Sequence, residues 1–125
     1  MDTPETPRVL RVLVADDDPS LRLALTLTLE RRGHVVVGES HTDAARAHLG
    51  AEPPDVALVD AGMPRDGVGF WRECDEGGRL AGGALLLTGD LGALGELADH
   101  PRVVGKPFDF RALVERVERM AEGRD

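Results

Sequence analysis

Five short apolar runs recur along this chain, at Val9–Ala15, His34–Gly38, Val56–Asp60, Ala84–Thr88 and Arg102–Gly105, and turn-forming residues bound most of them. The first is apolar except for Arg11, the second carries three valines in succession, and the fourth reads Ala-Leu-Leu-Leu-Thr. Near-continuous runs of this length are expected of strands buried on both faces, not of strands with one wet side. The stretches between them read as helices. A chain that alternates strand and helix in this way is predicted to form an α/β fold, an open parallel sheet with helices on both faces.

The segment Pro19–Arg32 tests that reading. Leu21, Leu23, Leu25, Leu27 and Leu29 alternate with period two, which alone favours a strand. Its ends favour a helix: Asp18 is a good N-cap, Pro19 suits the first helical position, and Arg31, Arg32 and Gly33 suit a C-terminus. Length and caps decide for helix. Further helices are predicted over Thr42–Leu49, closed by Gly50, and over about Val68–Asp75. A weak one is predicted over Leu91–Ala98, interrupted by Gly92 and Gly95, each costing up to about 1 kcal/mol relative to Ala. The last is capped by Asp109 and places Leu113, Val117 and Met120 on one face.

With 125 residues the chain suits one core, expected over 8–122, preceded by a disordered polar lead-in over 1–7. That lead-in, acidic and rich in Thr and Pro, is neither a signal nor a transit peptide. No apolar run approaches the roughly 20 residues needed to span a bilayer. The single cysteine, Cys74, excludes an internal disulfide and fits a reducing, cytoplasmic location. A net charge of −8 with no basic stripe argues against nucleic acid as a direct partner.

Ligands of open α/β sheets bind beyond the carboxyl ends of the strands. Those ends carry Asp16 and Asp17 after the first run, Asp60 after the third, Thr88 after the fourth and Lys106 just past the fifth. One such residue need only reach solvent; polar groups at four ends along one edge make a site. Crowded carboxylates bind a hard cation, usually Mg²⁺. An Asp carboxylate can attack phosphorus, and the transferring group then needs a metal, a cation and a hydroxyl donor around it. Asp16 and Asp17 can hold the metal, Lys106 supply the cation and Thr88 the hydroxyl, with Asp60 as nucleophile.

The segments Val-Leu-Val-Ala-Asp-Asp-Asp-Pro (12–19), Pro-Asp-Val-Ala-Leu-Val-Asp-Ala-Gly-Met-Pro (54–64), Leu-Leu-Leu-Thr-Gly (85–89) and Gly-Lys-Pro-Phe (105–108) resemble those of bacterial response-regulator receiver domains. The resemblance covers about residues 8–122. It implies a doubly wound, flavodoxin-like five-stranded sheet of order 2-1-3-4-5. It implies Asp60 as phospho-acceptor, fed by a sensor histidine kinase or phosphotransfer protein and acting on a downstream partner or output domain. It also implies that Asp17, Asp60 and the backbone carbonyl of Gly62 ligate Mg²⁺, that Asp16 acts through a water, and that Thr88 and Lys106 contact the phosphoryl group. A cis Lys106–Pro107 bond is a further expectation, which X–Pro geometry permits.

The chain departs from that family in places. Val103 stands where receivers usually carry Tyr or Phe, the loop after Met63-Pro64 is a residue short, and the stretch between Thr88 and Lys106 is shortened. Asp18 reads as the cap and not as a third metal ligand. His34, His41, His48 and His100 lack zinc-ligand spacing, and Gly62, Gly67 and Gly69 fit no dinucleotide or phosphate-loop fingerprint. Phe70 and Trp71 read as partly buried packing residues. Two functional classes follow: a phosphorylation-dependent signalling receiver, not an enzyme beyond its own phosphorylation and dephosphorylation, or a phosphate-independent docking module on the same fold. A phosphatase of the haloacid-dehalogenase type is weaker, since its second acid falls at Gly62.

Overall fold

The apolar runs pair side by side. In the computed structural model, which describes residues 8–123, β1 (Arg11–Ala15), β2 (Val35–Glu39), β3 (Val56–Asp60), β4 (Ala84–Thr88) and β5 (Val103–Gly105) make one parallel sheet. Their order is β2-β1-β3-β4-β5, the doubly wound flavodoxin-like arrangement. The lead-in expected over 1–7 lies outside the described residues. β3 and β4, central and covered on both faces, are buried at every position. Alternation hides inside each run: Val12 and Val14 enter one core while Leu13 and Ala15 enter the other.

Four α-helices cover the sheet: α1 (Pro19–Arg31), α2 (Thr42–Arg46), α3 (Gly67–Glu76) and α4 (Phe110–Ala121). α1 and α4 pack with Leu58, Leu85 and Leu87 on one face; α2 and α3 pack with Val59 and Leu86 on the other. Asp18 caps α1 as expected, accepting from the Ser20 and Leu21 N–H groups at 2.9 and 3.3 Å. The leucine alternation resolves into two stripes four residues apart. Leu25 and Leu29 are fully buried with Leu21 packed beside them, whereas Leu23 and Leu27 are 58% and 43% exposed. A period of two over nine residues therefore samples both sides of a 3.6-residue helix.

Three expectations need correction. Thr42–Leu49 is not one helix: α2 ends at Arg46 and a 3₁₀ turn spans Ala47–Leu49. Leu91–Asp99 is 3₁₀, not α, and breaks at Gly95, whose φ of +59° no helix accommodates; none of its residues is buried. Phe70 and Trp71 are fully buried rather than partly so, because α3 packs against β3 and β4 and the indole N–H finds the Ala84 carbonyl at 2.9 Å. Strand and helix limits otherwise shift by a residue or two; β1 begins at Arg11, not Val9. Cys74 is buried beside them, and burial, helped by the charge of Glu73, pushes its thiol up to about 12, so it is inert at neutral pH.

The two stripes of α1 have separate energetic consequences. Leu25→Ala empties a packed core position and is expected to cost about 2–5 kcal/mol. Leu23→Ala and Leu27→Ala should stay within about 0.5 kcal/mol of the parent. Urea denaturation of the three variants measures this; equal losses at all three would mean that α1 is rotated from the position described.

Candidate functional site

Register brings the polar strand ends together. Ala15 pairs with Val59, so the residues that follow, Asp16 and Asp60, stand side by side. Thr88 pairs with Gly105, and the Lys106 N–H continues that ladder to the Thr88 carbonyl at 2.7 Å. From there the Lys106 side chain reaches back across the edge of the sheet. Its Nζ donates to Asp60 Oδ1 at 2.9 Å and approaches Asp16 Oδ2 at 3.4 Å.

Asp16 is fully buried and Asp60 is 7% exposed, while Asp17 faces solvent. One carboxylate oxygen from each of the three falls within 4.8 Å of the others, the metal-compatible group of His, Cys, Asp and Glu found among the described residues. Burial raises the Asp16 carboxyl above its ordinary range, and the neighbouring Asp60 charge adds to this; the Asp18 N–H and Lys106 oppose it. Burial also works against the Lys106 ammonium, but its hydrogen bond to Asp60 and the charge of Asp16 win, and its pKa rises. The donor set is all oxygen, two carboxylates deep and one exposed. That suits Mg²⁺, which takes one or two carboxylates and keeps several waters, and not zinc, which favours nitrogen and sulfur.

The loop after β3 closes under this cluster. A Cβ on Gly62 would sit 3.3 Å from Asp60 Oδ2, so the backbone there lies against the carboxylate. A Cβ on Gly67 would meet the Asp60 carbonyl at 2.5 Å, so only glycine fits as the loop turns into α3. Between them Arg65 and Asp66 both have positive φ, +62° and +66°, a conformation that costs non-glycine residues about 1–2 kcal/mol each. Thr42, buried at the start of α2, donates its hydroxyl to the Pro64 carbonyl at 2.5 Å, and Arg65 pairs with Asp43 at 2.9 Å. The loop is thus held to α2 from outside.

Of the residues singled out in the sequence, Asp16, Asp17, Asp60 and Lys106 converge, and Gly62 adjoins them. Thr88 lies at the neighbouring strand end, but its hydroxyl oxygen accepts from the Asp90 N–H at 3.0 Å and has no bond to the carboxylates. The Lys106–Pro107 bond is cis. Val103 is half-buried and packs with Leu94 and Leu97 against the α3 side of the sheet. Two residues escaped the sequence reading. Arg22, one turn into α1, donates to the Asp16 carbonyl at 2.7 Å. His34, buried, accepts the Leu10 N–H on Nδ1 and meets Glu118 of α4 through Nε2 at 2.8 Å. The spacing from Asp18 to Arg22, one helical turn back toward the strand end, could have pointed to the first; nothing local points to the second.

No family model matches the chain. Among curated proteins it is similar to the response regulator receiver protein CpdR of Brucella abortus, 34% identical over 118 residues, covering 88% of this chain and 95% of that protein. It is also similar to the virulence transcriptional regulatory protein PhoP of Salmonella typhimurium, 31% identical over 122 residues; there it covers 90% of this chain but spans only 52% of PhoP. Among solved structures it is similar to a CheY-like response regulator receiver domain from Methanospirillum hungatei, with a TM-score of 0.79, 20% identity and coverage of 94% and 97% of the two chains. A putative response regulator from Chloroflexus aurantiacus gives a TM-score of 0.77 at 26% identity, with 92% and 99% covered.

The electrostatics of the cluster carry a signed expectation. Because the folded Asp16 carboxyl titrates above its unfolded value, its contribution to stability is present below the ordinary carboxylate range and is lost as pH rises through the folded value. Asp16→Asn removes that cost while keeping an oxygen for the Asp18 N–H. In metal-free buffer it should melt above the parent at pH 7, with the gap closing as pH falls through the carboxylate range. Lys106→Met should melt below the parent at pH 7, since two carboxylates lose their cation. An Asp16→Asn protein that melts below the parent at pH 7 would contradict this account.

Proposed function

The chain belongs to the response-regulator receiver family, and from that premise we propose that it accepts a phosphoryl group on Asp60, with Mg²⁺, and passes the change to a partner. The donor is a phosphohistidine on a sensor histidine kinase or phosphotransfer protein, and the output is a downstream protein or domain. Receivers of this family are signalling domains and not conventional enzymes. The reading places the domain over 8–122, in the cytoplasm and without direct nucleic-acid contact; no described helix is long and apolar enough to cross a membrane.

The observation that carries the reading is Lys106 Nζ between Asp60 and Asp16, with Asp17 beside them, at the carboxyl edge of the sheet. In the proposed step an Asp60 oxygen attacks phosphorus, the P–N bond to the donor imidazole breaks, and its electron pair returns to the nitrogen, which takes a proton from solvent. Asp17, Asp60 and the Gly62 carbonyl would hold Mg²⁺, with Asp16 acting through an intervening water. When bound, the metal neutralises charge on the phosphoryl oxygens. Lys106 would exchange its bond to the Asp60 carboxylate for one to the phosphoryl group. Thr88 would turn its hydroxyl from the Asp90 N–H to the same group.

Incubation with Mg²⁺ and phosphoramidate tests the acceptor. The parent should take up acid-stable, hydroxylamine-labile phosphate and Asp60→Asn none, while Thr88→Ala and Lys106→Ala still take it up with a blunted response. Uptake by Asp60→Asn at the parent rate would refute the assignment, and none by the parent would favour phosphate-independent docking. Mg²⁺ alone should raise the melting temperature, since it binds the gathered carboxylates of the folded state; a hundredfold excess over Kd adds about 2.7 kcal/mol. A melt indifferent to millimolar Mg²⁺ would count against the site.

Transmission follows the weakest-held segment. Val103 is β-branched and short, so it cannot swap between buried and exposed positions as an aromatic ring does. The 3₁₀ segment Leu91–Asp99, with no buried residue and a break at Gly95, lies at the low-stability end. Beryllium fluoride with Mg²⁺ is expected to change amide exchange over 89–101. Changes limited to the loops after β1 and β3 would exclude this segment as the mobile element.

A further inference from the structure

Every polar group of Asp16 is held. Its N–H donates to the Glu39 carbonyl at 3.1 Å, Oδ1 accepts from the Asp18 N–H at 2.9 Å, and Oδ2 faces Lys106. The fourth group, the carbonyl, has left the strand ladder and must find a donor elsewhere. It receives Nη1 of Arg22 at 2.7 Å, a charge-assisted bond from one turn into α1.

An independent feature on β2 makes room for that bond. Gly38 stands level with Val14 of β1, and a Cβ built on it would come within 3.3 Å of Arg22 Cδ and 3.4 Å of Cγ. Glycine inside a strand weakens it, and its use often marks the close approach of another group. Here that group is the arginine stem, which crosses the end of β2 to deliver the guanidinium.

We propose that Arg22 is a positioning residue for metal capture: its grip on the Asp16 carbonyl fixes the turn from which the Asp16 and Asp17 carboxylates reach Asp60. The inference rests on the reading of this cluster as a Mg²⁺-assisted phosphoacceptor site. Three carboxylates drawn to one point repel, so a turn that is free to relax moves them apart. A fixed turn presents them ready-made, and the metal then orders nothing as it binds. Arg22 has no bond to Asp60 in this arrangement. Its loss should weaken metal binding and leave the transfer step unchanged once metal saturates.

Isothermal titration with Mg²⁺, at a temperature where circular dichroism shows each variant folded, tests this together with phosphoramidate uptake. Arg22→Met should raise the Mg²⁺ Kd about tenfold, the low end for partners that orient metal ligands. Its uptake rate at saturating Mg²⁺ should stay within about twofold of the parent, the split expected of lost binding alone. Arg22→Lys, which keeps a cationic donor, should recover part of the affinity. Gly38→Ala, which crowds the stem, should lose affinity in the same direction but less, and it carries the test if Arg22→Met does not fold. Parent affinity in the folded variants overturns the inference and leaves the phosphoacceptor reading standing. An unchanged Kd with slow uptake at saturation also overturns it, since Arg22 would then act in the transfer. A parent that binds no Mg²⁺ overturns both, and shows it before any variant is made.

Discussion

Lys106 Nζ touches Asp60 at 2.9 Å and Asp16 at 3.4 Å, and much of the molecule exists to make that contact possible. The cation leaves from the end of β5, an edge strand, and its partners stand at the ends of β3 and β1, with β4 between. An all-parallel sheet places every carboxyl end on one side, so acids and cation far apart in the chain meet without any loop having to carry them there. Buried strands then hold them. β3 and β4 cannot slide without exposing leucine and valine to water, and so the carboxylates stay together despite their repulsion.

The two faces of the sheet differ in how firmly they support this edge. The α1–α4 face is tied by a continuous core and by polar links at its rim. His34 connects the start of β2 to Leu10 and Glu118, and Glu118 also takes Arg32. Burial would raise the Glu118 carboxyl, but its bonds to Arg32 and His34 hold it below its ordinary range. On the other face, α3 is anchored by Phe70 and Trp71, while the connection from β4 to β5 runs through 3₁₀ turns that bury no residue. A rigid carboxylate edge beside a loosely held connection is an arrangement in which a local charge change can move one segment and spare the rest.

The loop from Ala61 to Asp66 adds a second kind of constraint. Gly62 and Gly67 permit backbone close to Asp60, and Arg65 and Asp66 adopt left-handed conformations without being glycine. Such conformations persist where surrounding contacts over-determine them. Here the contacts are Thr42 to the Pro64 carbonyl, Arg65 to Asp43, and Asp66 capping α3 through the Gly69 N–H.

The sequence by itself determined the strands, the caps Asp18 and Asp109, and the members of the acidic site, because each is a local pattern: an apolar run, a short polar side chain before a helix, an acid at the end of a run. Four of the five chemical residues that it marked do meet, since in a parallel sheet the end of a run is also a place in space. Tertiary structure alone decided the rest. Whether Leu23 or Leu25 is buried depends on what lies beneath α1, not on the alternation they share. The direction of the Thr88 hydroxyl depends on Asp90, and the burial of Trp71 on the packing of α3 against β3 and β4. The Arg22 stem runs close over Gly38, sixteen residues further along the chain, where a Cβ would crowd it. Each is a contact between segments whose separation in sequence carries no record of their distance in space, and packing settles it only once the strands have paired.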